Sequence, residues 1–229
     1  MDKRVIHSWA LYDWANSAFV VVIITTIMPI FYADVAAQSL PAHLATAYWG
    51  YTQSISLVFI VILSPILGAI ADISGSKKTF LRFFTYLGVL SCLFMFTIDA
   101  NEWLWASFLV ILGTLAFQGS NTFYDAFLTD IAPTEKRDSV SSLGYALGYI
   151  GGGLMLAFIL ILIQFPEWFF LDRLTATQLS FLLVGLWWLL FSIPLFRHVH
   201  ESKSKTSKIS YLSITKQSVA NVIKTIKEL

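Results

Sequence analysis

Two short polar runs interrupt an otherwise apolar chain. Asp13, Asn16 and Ser17 recur at i, i+3 and i+4, and Gln118, Asn121, Thr122 and Asp125 at i, i+3, i+4 and i+7. Each spacing puts its residues on one face of a helix. Carboxylates, amides and hydroxyls on one face can hold a polar solute, and a carboxylate inside a membrane can relay a proton or pair with a cation. Both runs admit a plainer reading. Asp13 can be an N-cap that stabilises a helix start. The second run can be a hydrogen-bonding seam between helices, worth about 0.6 kcal/mol per bond. The charge of Asp125, which a seam does not need, favours a cavity lining.

The composition says which elements must carry these runs. Of 229 residues, 57% are apolar and 13% charged, about half the charge usual in soluble domains. A disordered chain is excluded by the 16% aromatic content. The single cysteine, Cys92, excludes a disulfide framework. So few charges cannot cover a soluble globule, which leaves a membrane protein. A span needs about 20 apolar residues. Six stretches qualify: 14–32, 47–71, 80–98, 103–127, 143–165 and 179–196. The expected fold is therefore an all-α bundle of six transmembrane helices over residues 1–197. The first stretch is longer than the roughly 7–15 residues of a signal-peptide core and reads as a retained helix.

Charge placement orients the bundle. With the N-terminus inside, 14 of the 15 basic residues fall on the inner side, and Arg173 alone lies outside. The positive-inside rule then puts both termini in the cytoplasm. Trp49, Trp103, Trp105 and Trp168 lie near span ends, as interfacial anchors do. The third and sixth stretches are more uniformly apolar than the others and are expected to face lipid, whereas the polar-bearing ones face protein or water.

Gly144, Gly148 and Gly152 are spaced by four, with Gly151 and Gly153 beside them. Such a row lets another backbone approach closely and marks a packing face. Between the second and third stretches lie Gly68, Asp72, Gly75, Lys77 and Lys78. Their plain reading is an inner-side turn.

That loop resembles the signature between the second and third helices of major facilitator transporters, with Ile73 where the pattern has a basic residue. In the superfamily the loop acts as a gate, bonding neighbouring helices in one state and releasing them in another. The opening, Trp9 to Phe19, resembles that of the vacuole-effluxer branch, the autophagy-related effluxers and their bacterial relatives. So does Phe123 to Leu128, continuing through Asp130-Ile131-Ala132-Pro133 into Gly144 to Tyr149. Asp125 stands where many relatives have Asn. The resemblance implies a transporter or effluxer of small solutes, with amino acids the class known for the vacuolar relatives. It also implies an integral protein of the bacterial inner (plasma) membrane. The family fold has two six-helix halves that rock about a midplane site, each half built from inverted repeats. Helices one and four would line the cavity, two and five would meet the other half, and three and six would face lipid. This chain then corresponds to the N-terminal half, with a second six-helix half or another copy of itself as partner. A truncated, non-transporting remnant or membrane scaffold is the alternative.

Residues 198–229 form a basic linker, with Leu212, Val219, Ile223 and Ile226 at near-helical spacing. This predicts an amphipathic helix on an anionic inner leaflet. Enzymatic chemistry finds no support. His7, His43, His198 and His200 lie outside the predicted spans, Cys92 has no basic neighbour, and no P-loop is present. No cofactor, metal or nucleic-acid partner is expected.

Overall fold

The computed structural model describes residues 2–73 and 76–201, with the side chains of 70–73 left out. The amphipathic helix expected in the tail and Gly75 of the loop lie outside the described residues.

Six membrane-length helices make up the fold. α1 spans Lys3–Ala36, α2 Ala42–Ile73, α3 Lys77–Met95, α4 Trp103–Ala126, α5 Arg137–Gln164 and α6 Arg173–His198. They run past the apolar stretches because helix ends continue through polar residues until a cap stops them. At α1 the cap is Asp2, whose carboxylate accepts from the Arg4 backbone N–H at 2.8 Å. The helix therefore starts at Lys3, ten residues before Asp13. This corrects the capping reading of Asp13, which lies well inside the helix with no free backbone N–H groups to satisfy.

α1 is 34 residues long, or about 51 Å at the α-helical rise. Its backbone widens into π-helix over Phe19–Ile27 and Tyr32–Ala36. Pro29 offers no N–H, and Thr25 and Thr26 both donate their hydroxyls to Val21 O, at 2.8 and 2.7 Å. Hydroxyls that bond back to the helix satisfy carbonyls left without their usual partners in an apolar setting.

The packing order has an internal symmetry. α1 packs against α5 and α6, α4 packs against α2 and α3, and α3 packs against α6. Exchanging the first three helices for the last three maps this pattern onto itself. Such pairing is what a 3+3 inverted repeat requires, although the two triplets show no obvious sequence similarity.

The α3–α6 seam qualifies the expectation that these two helices face lipid. A Cβ on Gly88 would lie 2.4 Å from the Trp188 ring, and one on Gly185 would lie 2.9 Å from Cys92 Cβ. One side of each helix is thus sealed against the other, and Phe83, Leu90, Leu186 and Leu190 lie outside the seam, exposed. α2 is the most exposed helix, presenting Tyr51, Leu57, Val58 and Val61 outward. Uniform apolarity does not tell a buried seam from a lipid face, because both exclude polar atoms.

The bundle has two unlike ends. Lys3, Arg4, Lys77, Lys78, Arg82, Arg137 and Arg197 gather at the end where α1 begins, called here the basic end. The opposite connections carry Asp34, Asp99, Glu102, Glu167 and Asp172 and form the acidic end. There Asn101, at φ 70°, accepts from Ser39 N through its Oδ1 at 2.9 Å. That bond ties the α1–α2 and α3–α4 connections together.

Candidate functional site

The polar runs of α1 and α4 meet in space. Asn16 is wholly buried and donates its Nδ2 to Asn121 Oδ1 at 2.5 Å. Its own Oδ1 has no hydrogen-bond partner among the described residues. One helical turn toward the basic end, Asp13 Oδ1 accepts from Ser17 Oγ at 3.0 Å. Asp125 is exposed on α4, one helical turn from Asn121. Thr122 spends its hydroxyl on Gln118 O in its own helix, at 3.0 Å. Asp13, Ser17, Gln118, Asn121 and Thr122 are half-buried. Together the seven residues form an open polar wall rather than a closed cavity.

An aromatic stack supports this wall, and the sequence reading did not single it out. Tyr124 stacks on Trp9 with centroids 4.3 Å apart and on Tyr12 at 5.1 Å. Trp9 Nε1 donates to Tyr124 O at 3.0 Å, which joins α1 to α4. Tyr12 bonds Thr85 of α3 at 2.8 Å through the two hydroxyls. The available signal was the run of Trp9 and Tyr12 on one α1 face, four and one residues before Asp13.

The glycines of α5 set how closely it approaches this wall. A Cβ on Gly144 would lie 2.9 Å from both Trp9 and the Tyr124 hydroxyl. On Gly148 it would lie 2.7 Å from Ser17 Oγ, on Gly151 2.5 Å from Trp14 O, and on Gly152 3.0 Å from Val21. Gly153 has nothing within 4 Å and is not part of the contact. The face is therefore drawn by Gly144, Gly148, Gly151 and Gly152, all against α1. Spacing alone could not separate Gly152 from its neighbour Gly153.

The loop residues divide. Lys77 Nζ pairs with Asp130 Oδ2 at 3.0 Å and donates to Ala126 O at 3.1 Å. Lys78 Nζ donates to Val199 O at 2.5 Å, and Lys78 N to the Glu201 carboxylate. Arg82 donates to Phe196 O at 3.0 Å. These cations cover carbonyls at and just past the C-terminal ends of α4 and α6, where the helix dipole favours positive charge. Gly68 lies in open space. Asp72 lies in the last turn of α2, and its side chain lies outside the description. Asp130, the partner of Lys77, was not among the expected site residues. The two are 53 positions apart, too far for local spacing to pair them.

Three histidines fall inside the long helices rather than outside the spans, because α1 and α2 start earlier and α6 ends later than the apolar stretches: His43 at the head of α2 and, at the other end of the bundle, His7 and His198. The latter two stay at the basic end. His198 bonds Arg4 Nη2 through Nε2 at 2.8 Å and Ser8 Oγ through Nδ1 at 3.1 Å. Arg4 can only donate, so Nε2 accepts and the imidazole serves as an anchor between α1 and α6. Among the described residues no group of three or more histidines, cysteines or carboxylates is placed to hold a metal.

The family model described as "Vacuole effluxer Atg22 like" matches residues 42–135 and 129–229. The chain belongs to this vacuole effluxer family. Among its relatives is a Bacillus subtilis protein described as the uncharacterized MFS-type transporter YxiO. It is 42% identical over 198 residues, which is 85% of this chain and 46% of that protein. Autophagy-related protein 22 of Kluyveromyces lactis is 24% identical over 232 residues, covering 84% of this chain and 46% of its own length. The solved inward-open structure of the xylose transporter XylE from E. coli superposes with a TM-score of 0.64 at 16% identity. The match takes in 97% of this chain and 55% of XylE. That likeness shows the fold: the six helices form half of a major-facilitator-type bundle. Six membrane-length helices together with the family match make the chain an integral membrane protein. The chain spans about half the length of the relatives it matches.

Proposed function

We propose that the chain is the N-terminal half of a secondary transporter or effluxer that moves small solutes by alternating access. The observation that carries this reading is the Asn16–Asn121 bond, which joins α1 to α4 beside Asp13 and Asp125. An apolar bundle needs no such wall, and intramembrane carboxylates mark solute or ion pathways. Asp13 and Asp125 would carry the coupling proton or cation, while Asn121 and Gln118 would hold the solute and the buried Asn16 would fix Asn121 from behind. Membership of the vacuole effluxer family supports transport, and amino acids are the first solute class to test.

An open wall needs a facing one. The exposed apolar sides of α2 and α5, with Tyr51, Leu57, Tyr145 and Tyr149 among their most exposed residues, suit contact with a second six-helix half or a second copy. The Lys77–Asp130 pair and the Lys78–Val199 bond hold the basic end together and would have to change as that end opens. By the positive-inside rule the basic end is cytoplasmic, in a bacterial inner membrane.

Flux into proteoliposomes, measured across a panel of amino acids, sugars and organic cations, tests this reading. Saturable uptake of one class is expected once the partner half is present. If no solute moves with every plausible partner supplied, the scaffold alternative replaces it.

A further inference from the structure

Two clefts lie away from the α1–α4 wall. The first, of about 450 Å³, opens between α1, α5 and α6 at the acidic end. Its walls are apolar, with Ile30 and Leu160 among them, and its rim carries Asp34, Gln164, Arg173 and Thr177. The second, of about 410 Å³, lies between α5 and α6 and is lined by Leu154, Phe158, Leu186 and Leu190 with Trp187. Both share α5 and α6 as walls, at successive depths. From Arg173 at the head of α6 to Leu190 is 17 residues, or about 25 Å along the helix.

The glycine row accounts for the opening. It holds α5 against α1 as far as Gly152. Beyond it the α5 positions toward α1 and α6 carry Leu160, Ile163 and Gln164, and the helices part there. The rim charges are otherwise uncommitted: both side chains are exposed, and neither joins an ion pair among the described residues. Among the described residues Arg173 is also the single lysine or arginine away from the basic end. A cation and a carboxylate over an apolar slot match a zwitterion with a hydrocarbon tail. Guanidinium is well suited to phosphate, and a carboxylate to an ammonium that can donate N–H bonds.

We propose that this groove holds one phospholipid of the leaflet at the acidic end. Its phosphate sits at Arg173, its primary ammonium at Asp34, and an acyl chain lies along the α5–α6 cleft. The ligand is phosphatidylethanolamine in kind. A quaternary ammonium lacks the N–H donors for Asp34, and a glycerol headgroup lacks the charge.

Native mass spectrometry of the purified full chain in detergent, with equimolar phosphatidylethanolamine, phosphatidylcholine and phosphatidylglycerol, is the test. The unchanged protein is expected to retain the ethanolamine lipid at least threefold over the others. Arg173→Gln should lower retention of all three at least fivefold, and Arg173→Lys should lower it less. Asp34→Asn should abolish the preference for ethanolamine over choline. Leu186→Trp, which narrows the apolar cleft without touching the rim, should weaken retention and keep the headgroup order. Equal retention of the three lipids by the unchanged protein would overturn the proposal, as would a folded Arg173→Gln that binds normally. So would displacement of the lipid by an equal concentration of soluble glycerophosphoethanolamine, since the acyl groove would then contribute nothing.

Discussion

Asn16 on α1 and Asn121 on α4 share a hydrogen bond of 2.5 Å between residues 105 positions apart. Asn16 is wholly buried, so its amide cannot fall back on water. Asn121→Ala should destabilise the bundle by only about 0.6–2 kcal/mol, the range for one interhelical bond in a membrane. It should lower flux far more, because it removes a wall residue. Equilibrium unfolding in detergent and proteoliposome uptake, run side by side, separate the two effects. A flux loss no larger than the stability loss would make the bond a packing seam.

Asp13 sits inside α1 with Ser17 as its bonded partner, and Asp125 lies exposed on α4. Asp13→Asn and Asp125→Asn are each expected to reduce transport while insertion and expression stay normal. Unchanged flux in both variants would remove the proton or cation role.

The α5 glycines allow a controlled comparison. Gly151→Ala drives a Cβ to within 2.5 Å of the Trp14 carbonyl, whereas Gly153→Ala meets nothing within 4 Å. The first should cost about 1–3 kcal/mol as an overpacked contact. The second should stay within about 0.5 kcal/mol of the parent. Thermal unfolding of the two single variants decides it.

Lys77 and Asp130 pair at 3.0 Å with both side chains largely covered. Asp130→Asn should weaken the attachment of α3 to the α4–α5 connection by about 1.5–3 kcal/mol, the range for a hydrogen bond to a charged group. A double-mutant cycle with Lys77→Met measures how much of that belongs to the pair. Strictly additive single effects would show that the two residues are not coupled.

Asp172 caps α6, accepting from Thr175 N at 2.9 Å and from Thr175 Oγ1 at 2.8 Å. These bonds hold its carboxyl below the usual carboxylate range. A lowered folded-state pKa means the stabilisation is complete above the unfolded value, about 3.9, and is lost as pH falls through the folded one. Acidification below about pH 4 should therefore lower the protection factor of the Thr175 amide, its exchange rate measured against the intrinsic rate at the same pH. Asp172→Asn should keep the cap and lose that pH dependence, and Asp172→Ala should expose the amide at every pH. Exchange followed by mass spectrometry reads all three.

Much of this molecule was legible in one dimension. Hydropathy along the chain counts spans because each helix must satisfy its own backbone bonds in lipid. The opening motif and the residues after Phe123 pointed to the vacuole effluxers. Periodicity also placed Asn16 and Asn121 on polar faces, because helical spacing is a local property.

What it could not state was which face meets which. Asp2 rather than Asp13 caps α1 because a cap acts through local backbone geometry that hydropathy does not record. Gly152 packs on α1 and Gly153 does not, a difference of one position around the helix that depends on where α1 lies. Lys77 finds Asp130, and Trp188 fills the space over Gly88, through contacts whose sequence separation carries no signal. The chain's own composition therefore determined the solvent, the number of helices and the residue types available for chemistry. Only the tertiary packing decided which of those residues meet, because a contact between helices depends on rotation and depth, and neither is written in the period of a single helix.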